Sequence, residues 1–194
     1  GLDFSMDKHA IRKKFGGDYV ADGNTYVLGS DHRFGAHFAE RFSNRAVLET
    51  CTGAGFATVQ LAKTALHVYT VEVNPVHQQQ AIANLKIAKL SKRVSFILGS
   101  ILDQNILNGL PEIDAAFIDP DWAVSGSNHE CRFRNSNTQP PADTLLERVL
   151  NITPNVALVL PPEIYVNEFE GLPKHELERL YLGESHELPR SERV

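Results

Sequence analysis

Residues 46–75 read AVLETCTGAGFATVQLAKTALHVYTVEVNP, and this stretch decides the fold. Ala46-Val47-Leu48 is a short apolar run that ends at Glu49-Thr50. Gly53 and Gly55 follow directly. Phe56 to Lys63 has helical spacing, and Val68 to Val73 is a second apolar run. A strand, a glycine turn, a helix and a second strand in this order make the βαβ unit of a parallel sheet.

The same alternation continues on both sides. Pro75 opens a helix at its first helical position, with Ile82, Leu85, Ile87 and Leu90 as the expected apolar face. Val94 to Leu98 is a third strand, and Ala115 to Ile118 a fourth that ends at Asp119-Pro120. Leu145 to Leu150 is helical, and Val156 to Leu160 is a fifth strand. Upstream, Phe34, His37, Phe38 and Phe42 recur at helical spacing behind Ser30 or Asp31 as N-cap. Apolar strands alternating with helices predict a three-layer α/β/α fold, doubly wound around a mostly parallel sheet. Such folds bind ligands at the carboxyl ends of their strands.

The two ends of the chain differ from this pattern. Residues 1–30 carry a basic cluster, Lys8, Arg12, Lys13 and Lys14, and then Gly16, Gly17 and Gly23. Tyr19-Val20 and Tyr26-Val27-Leu28 around Asp22-Gly23-Asn24 predict a hairpin. These residues are expected to form either an arm or flap, or a terminal cap, beside a main domain at 31–194. His175 to Leu182 predicts a strand and Glu187 onward another, so the end at Val194 is expected to truncate the final edge strand.

Composition narrows the function. The 194 residues are 42% apolar and 22% charged, which fits one ordinary domain with a sizeable core. Cys51 and Cys131 alone exclude a disulfide framework or a Cys-rich zinc module and favour a reducing, cytoplasmic setting. No apolar run approaches the roughly 18 residues of a membrane span. A formal net charge of −5 excludes a strongly basic nucleic-acid binder but permits a local basic patch. Neither an H-E-x-x-H metal pattern nor a G-x-S-x-G elbow occurs, so no metal is expected. Nothing here specifies an oligomeric state.

Two sites carry the unusual residues. In Glu49-Thr50-Cys51-Thr52-Gly53-Ala54-Gly55 the glycines let the backbone approach a ligand, and the helix opening at Phe56 offers free N–H groups. Glu49 stands where a carboxylate can hold an ammonium group. Glu72 ends the next strand, where an acid binds ribose hydroxyls. The glycine spacing is not G-x-G-x-x-G, and Glu49 would repel a diphosphate. A nucleoside with a cationic amino-acid end, S-adenosylmethionine, suits this arrangement better than a nicotinamide dinucleotide. At the second site, Asp119-Pro120-Asp121-Trp122, an acceptor side chain, a rigid backbone carbonyl and an aromatic platform are what methylation of an exocyclic base amine requires. Stacking of a base on such a ring is worth about 1–3 kcal/mol.

Together with Glu72-Val73-Asn74-Pro75 and Gly99-Ser100, these segments resemble motifs I to IV of class I S-adenosylmethionine-dependent methyltransferases. Within that group the chain is most similar to the trimethylguanosine synthase type, the RNA cap guanine-N2 methyltransferases. Cys51 in place of the first motif glycine, Leu160-Pro161 and Tyr181-Leu182 carry that likeness. The resemblance implies a class I methyltransferase fold of seven strands. Glu49, Thr50, Cys51, Gly53, Gly55 and Phe56 would seat the methionine part of the cofactor. Glu72, Val73 and Asn74 would seat the ribose, and Ser100 and Ile101 the adenine, with Asp103 as a substitute acid. Asp119 would be the acceptor beside the reacting amine, Pro120 would set the backbone, and Trp122 would stack on the base. Asp121 replaces the second proline of the usual tetrapeptide and places another carboxylate there.

Downstream, Arg132, Phe133 and Arg134 put an aromatic between two arginines, an arrangement suited to RNA, with Lys8 to Lys14 as a second phosphate patch. Competing readings remain for several of these residues. They are core packing for Trp122, a strand-end cap for Asp119, dipole complementation for Glu49 and solvated charge for the basic loop. Adenine N6, a small molecule or a protein amide are alternative acceptors, and a non-catalytic binding module is the rival of a different class.

Overall fold

The computed structural model describes residues 6–121, 132–182 and 190–193. Five parallel strands form the central sheet: β1 (Ala46–Thr50), β2 (His67–Glu72), β3 (Val94–Leu98), β4 (Ala115–Ile118) and β5 (Val156–Leu158), in the order β3-β2-β1-β4-β5. Alternate residues feed two cores. Val47, Val68, Ala115 and Phe117 face one layer, while Leu48, Val71, Ala116 and Ile118 face the other. Both faces are therefore buried, which is why the strands read as unbroken apolar runs. Helices α3 (His32–Arg41), α4 (Phe56–Ala62) and α5 (Pro75–Ile87) join the first layer through Phe38, Val59, Leu61 and Leu85. Helices α6 (Gln104–Asn108) and α7 (Ala142–Leu150) join the second through Ile106, Leu145 and Val149. This is a Rossmann-like doubly wound fold. The strand order reverses between β1 and β4, so a crevice opens at their carboxyl ends.

The structure departs from the sequence expectations in four places. Residues 20–28 do not form a hairpin. Gly23–Leu28 is helix α2, started by a capping box in which Asp22 accepts from the Thr25 amide at 2.8 Å and the Asp22 amide donates to Thr25 Oγ1 at 2.9 Å. A further helix, α1 (Lys8–Phe15), precedes it and ends at Gly16, whose φ of 79° is left-handed. The buried face of α5 is Gln78, Ala81, Asn84 and Leu85, while Ile82 and Ile87 are exposed. The physical reason is polar: Asn84 is buried by hydrogen bonds to two other segments. Finally, strands β6 (Glu178–Tyr181) and β7 (Arg190–Arg193) pair antiparallel with each other in a separate two-stranded sheet, so the last strands do not extend the five-stranded one.

Residues before α3 pack on the glycine turn. Phe15 stacks on Phe56 with ring centroids 3.5 Å apart and an interplanar angle of 4°, within a cluster that includes Ile11 and Ala54. Among the described residues, no helix is long and apolar enough to cross a membrane.

Candidate functional site

A cleft of about 650 Å³ opens where β1, β2, β3 and β4 end. Glu49, near the tip of β1, is 1% exposed. Both Thr58 Oγ1 of α4 and Thr70 Oγ1 of β2 donate to its Oε1, the latter at 2.7 Å. Burial pushes its carboxyl up to about 8 against the pull of those two hydroxyls, with Asp119 and Glu72 adding to the rise. Cys51 follows with φ 61°, left-handed for a residue that has a Cβ. Burial, and then the nearby Asp119 carboxylate, pushes its thiol up to about 12, so it stays protonated and is a poor nucleophile.

The turn between β1 and α4 is held from two sides. The Gly53 amide donates to Glu72 Oε1 at 2.7 Å, and the Asn74 amide donates to Glu72 Oε2 at 2.9 Å. A Cβ on Gly53 would meet nothing within 4 Å, whereas one on Gly55 would lie 3.1 Å from the Ala81 Cα. Gly53, with φ 56°, thus leaves open space beside the cleft, and Gly55, with φ 84°, lets α4 close onto α5. Asn74 caps α5 by accepting from the Val76 amide at 2.9 Å, leaving Val73 exposed at the cleft edge.

At the end of β3, Gly99, Ser100 and the buried Ile101 line the same cleft. Ser100 Oγ accepts from the Leu102 amide at 3.1 Å. Asp103, the substitute acid expected from sequence, sits at the start of α6. Its carboxylate caps α6 through the Asn105 amide at 2.9 Å, and it is absent from the cleft wall. Asp119 and Pro120 follow β4. Burial, and then the Asp121 charge, pushes the Asp119 carboxyl up to about 7. The Asp121 backbone exchanges two 2.8 Å hydrogen bonds with Gln139, closing the base of the loop between them. Trp122 lies outside the described residues.

Cleft residues expected from sequence thus meet: Glu49, Cys51, Gly53, Phe56, Glu72, Val73, Asn74, Ser100, Ile101, Asp119, Pro120 and Asp121 all line it. Thr50 and Gly55 flank it without lining it. Arg132 and Arg134 do not line it. Arg132 Nε pairs with Glu168 Oε1, and its guanidinium lies 4.9 Å from the Tyr165 ring centroid. The Arg134 amide donates to Glu168 Oε2 at 2.5 Å, and its Nε donates to the Glu168 carbonyl at 3.1 Å. Phe133 between them is buried against Phe169, with centroids 5.4 Å apart. Phe133 thus anchors the run in the core, while Arg132 and Arg134 are exposed and tied to Glu168 and to the Glu168 and Glu170 carbonyls, away from the cleft lining. In the basic amino-terminal cluster, Arg12 pairs with Asp18 at 2.5 Å and Lys14 donates to the Tyr26 carbonyl at 2.6 Å.

Several wall residues carried no sequence signal. Thr25 to Ser30 form one side of the cleft, and Pro140 and Pro141 another. The charged lining is acidic: Glu49, Glu72, Asp119 and Asp121, with no Lys or Arg among the described lining residues. Among the described residues, no group of three or more His, Cys, Asp or Glu could hold a metal ion. The donor set fits S-adenosylmethionine. Carboxylates complement its ammonium and sulfonium, Glu72 stands at the strand tip suited to a ribose, and the cradle beside Gly53 is open.

Comparison with known proteins agrees with this fit. The family model described as RNA cap guanine-N2 methyltransferase matches residues 44–181. A catechol O-methyltransferase of Mycobacterium tuberculosis is 41% identical over 99 residues, which are 49% of this chain and 44% of that protein. The match therefore spans less than half the length of that curated relative. Among solved structures, a protein of Porphyromonas gingivalis W83 assigned as a methyltransferase superposes with a TM-score of 0.68 at 16% identity, covering 88% of this chain and 42% of that one. Precorrin 8w decarboxylase of Methanobacterium thermoautotrophicum superposes with a TM-score of 0.51 at 15% identity, covering 96% and 94%. These two likenesses concern the fold alone.

Proposed function

The chain belongs to the RNA cap guanine-N2 methyltransferase family, within the class I S-adenosylmethionine-dependent methyltransferases, and from that membership we propose that it methylates an exocyclic base amine, guanine N2 of RNA first among them. One observation carries the reading: the carboxylates of Glu49, Glu72 and Asp119 meet in a single cleft at the switch point of the sheet. Bound there, S-adenosylmethionine supplies an electrophilic methyl group on a sulfonium.

The chain's residues do the rest. Glu49 faces the ammonium of the methionine part. Glu72 keeps the Gly53 and Asn74 amides in place while its free lone pairs face the ribose. Asp119 accepts a hydrogen bond from the amine N–H, and the Pro120 backbone fixes the amine plane. On methyl transfer the amine would shed one proton, which Asp119 would take up or pass to solvent. Asp119 can take up a proton only when ionised, so its raised pKa makes this step faster above about pH 7.

A small-molecule oxygen acceptor is the second reading, favoured by the catechol O-methyltransferase relative and by the absence of Lys and Arg from the described cleft lining. Incubation with methyl-labelled cofactor and separate pools of capped RNA, uncapped RNA, DNA and catechols tests both. Label in capped RNA supports the first reading. Label only in catechols replaces it with the second. Cofactor binding with no transfer to any pool refutes both and leaves a binding module.

A further inference from the structure

We propose that Asn84 is a positioning residue that couples seating of the cofactor on the glycine turn to placement of helix α2 along the cleft, an inference that rests on the cofactor reading above. Asn84 is wholly buried in the last turn of α5. A buried amide there is costly unless each of its polar groups is paired. Its Oδ1 accepts from the Val20 amide at 2.7 Å, and its Nδ2 donates to the Val20 carbonyl at 2.9 Å. The side chain thereby pairs with Val20 as a neighbouring strand would. The second Nδ2 hydrogen goes to the Ala54 carbonyl at 2.8 Å, inside the turn whose Gly53 amide is held by Glu72.

One helical turn earlier on the same face, Gln80 Nε2 donates to Asp22 Oδ2 at 2.8 Å. Asp22 is the N-cap of α2 and holds the Thr25 amide with its other oxygen. Thr25, Val27 and Leu28 of α2 then line the cleft, with Val27 72% exposed. Helix α5 therefore holds the Ala54 carbonyl and, through Asn84 to Val20 and Gln80 to Asp22, the chain segment that leads directly into α2 at the cleft wall. A shift of the glycine turn on ligand binding is transmitted to α2 because Asn84 bonds both ends. The same bonds explain why α5 buries Asn84 and exposes two isoleucines.

The test is amide hydrogen exchange of residues 23–29, with and without saturating S-adenosylhomocysteine, in wild type, Asn84→Leu and Gln80→Leu. Calorimetry of the same ligand accompanies it. In wild type the ligand is expected to slow exchange in α2 by about tenfold, and in Asn84→Leu by less than about twofold, with the turn still binding ligand. Gln80→Leu removes the separate tie from α5 to the Asp22 cap and leaves the Asn84 pairing with Val20 and Ala54 intact. It is expected to reduce the protection of α2 with ligand affinity unchanged, so it serves as the test if Asn84→Leu does not fold. Wild-type protection of α2 in Asn84→Leu, or in Gln80→Leu when the first variant fails to fold, overturns the coupling. A purely structural role would raise exchange equally with and without ligand, and that result also overturns it. If wild type shows no calorimetric binding, the cofactor reading itself falls, an outcome distinct from binding without protection.

Discussion

Replacing Glu49 by Gln tests the electrostatics of the cleft directly. The folded protein holds this carboxyl at about 8 against an ordinary value of 4.5, chiefly because it is buried. The folded state therefore binds more protons than the unfolded state between these values, and stability is lost as pH rises through that window. For one group with these two values, stability falls by roughly 2–3 kcal/mol between pH 5 and pH 7. Gln keeps an oxygen to accept from Thr58 and Thr70 but cannot titrate. Urea unfolding of wild type and Glu49→Gln at both pH values should show wild type losing roughly 2–3 kcal/mol more than the variant. Asp119 titrates in both proteins and cancels in the comparison. Parallel losses, agreeing within about 0.5 kcal/mol, would refute a buried, proton-retaining Glu49. The same group links to the ligand. An ammonium beside Glu49 favours its ionised form, so cofactor binding at pH 7 should release close to one proton from it. Binding enthalpies should then vary with buffer ionisation enthalpy in wild type and vary less in Glu49→Gln.

Three further substitutions separate the parts of the site. Glu72→Ala leaves the Gly53 and Asn74 amides without their acceptor and should weaken cofactor binding by about ten- to a hundredfold in calorimetry; equal affinity would contradict its role. Trp122→Ala should spare cofactor affinity while single-turnover methyl transfer is lost, since stacking worth about 1–3 kcal/mol per base orients the acceptor; retained transfer would remove the platform. Glu168→Gln should lower stability by about 2–3 kcal/mol in urea unfolding without changing cofactor affinity, because the charge held by Arg132 and the Arg134 amide is lost. Burial raises the Glu168 carboxyl, but the Arg134 amide and Arg132 outweigh it and hold the group below its ordinary value. Its contribution is therefore present above the ordinary carboxylate pKa and fades as pH falls through the lowered one.

The sheet was legible because parallel strands covered on both faces leave a simple trace: apolar runs such as Val68 to Val71 between helical segments, with chemistry placed after each run. Glu49, Glu72 and Asp119 could be picked out because acids at the ends of apolar strands stand out. What was not legible depended mostly on partners distant in sequence. Asp22-Gly23-Asn24 has the composition of a hairpin turn, yet Asp22 and Thr25 close a capping box and the same residues start a helix. Ile82 and Ile87 fit an apolar face, but Asn84 is satisfied only by Val20 and Ala54, 64 and 30 residues away, and that contact rotates α5. Arg132 and Arg134 look like phosphate ligands until Glu168 is seen beside them. At α5 and at the two arginines tertiary hydrogen bonding overrode a correct local preference, whereas at Asp22 the deciding contact is a local capping box.

The distribution of cations around the cleft also predicts how an RNA acceptor must bind. Phosphate contacts make affinity fall with salt, by a slope of about −0.7 per neutralised phosphate on a single strand. Here the described cleft lining offers no Lys or Arg, and the undescribed residues 122–131 contain none in their sequence. Arg33 is paired with Asp31, Arg41 with Glu178, and Arg132 with Glu168. Lys8 and Lys13 on α1 are exposed. Within the cleft, recognition is then expected to come mainly from the base and its amine, with few phosphates touched there. The dissociation constant of a short capped RNA, measured by fluorescence anisotropy from 50 to 200 mM salt, should change with a log–log slope of magnitude about 2 or less. A magnitude of about 5 or more would show a phosphate track that these residues do not provide, and would refute base-centred recognition.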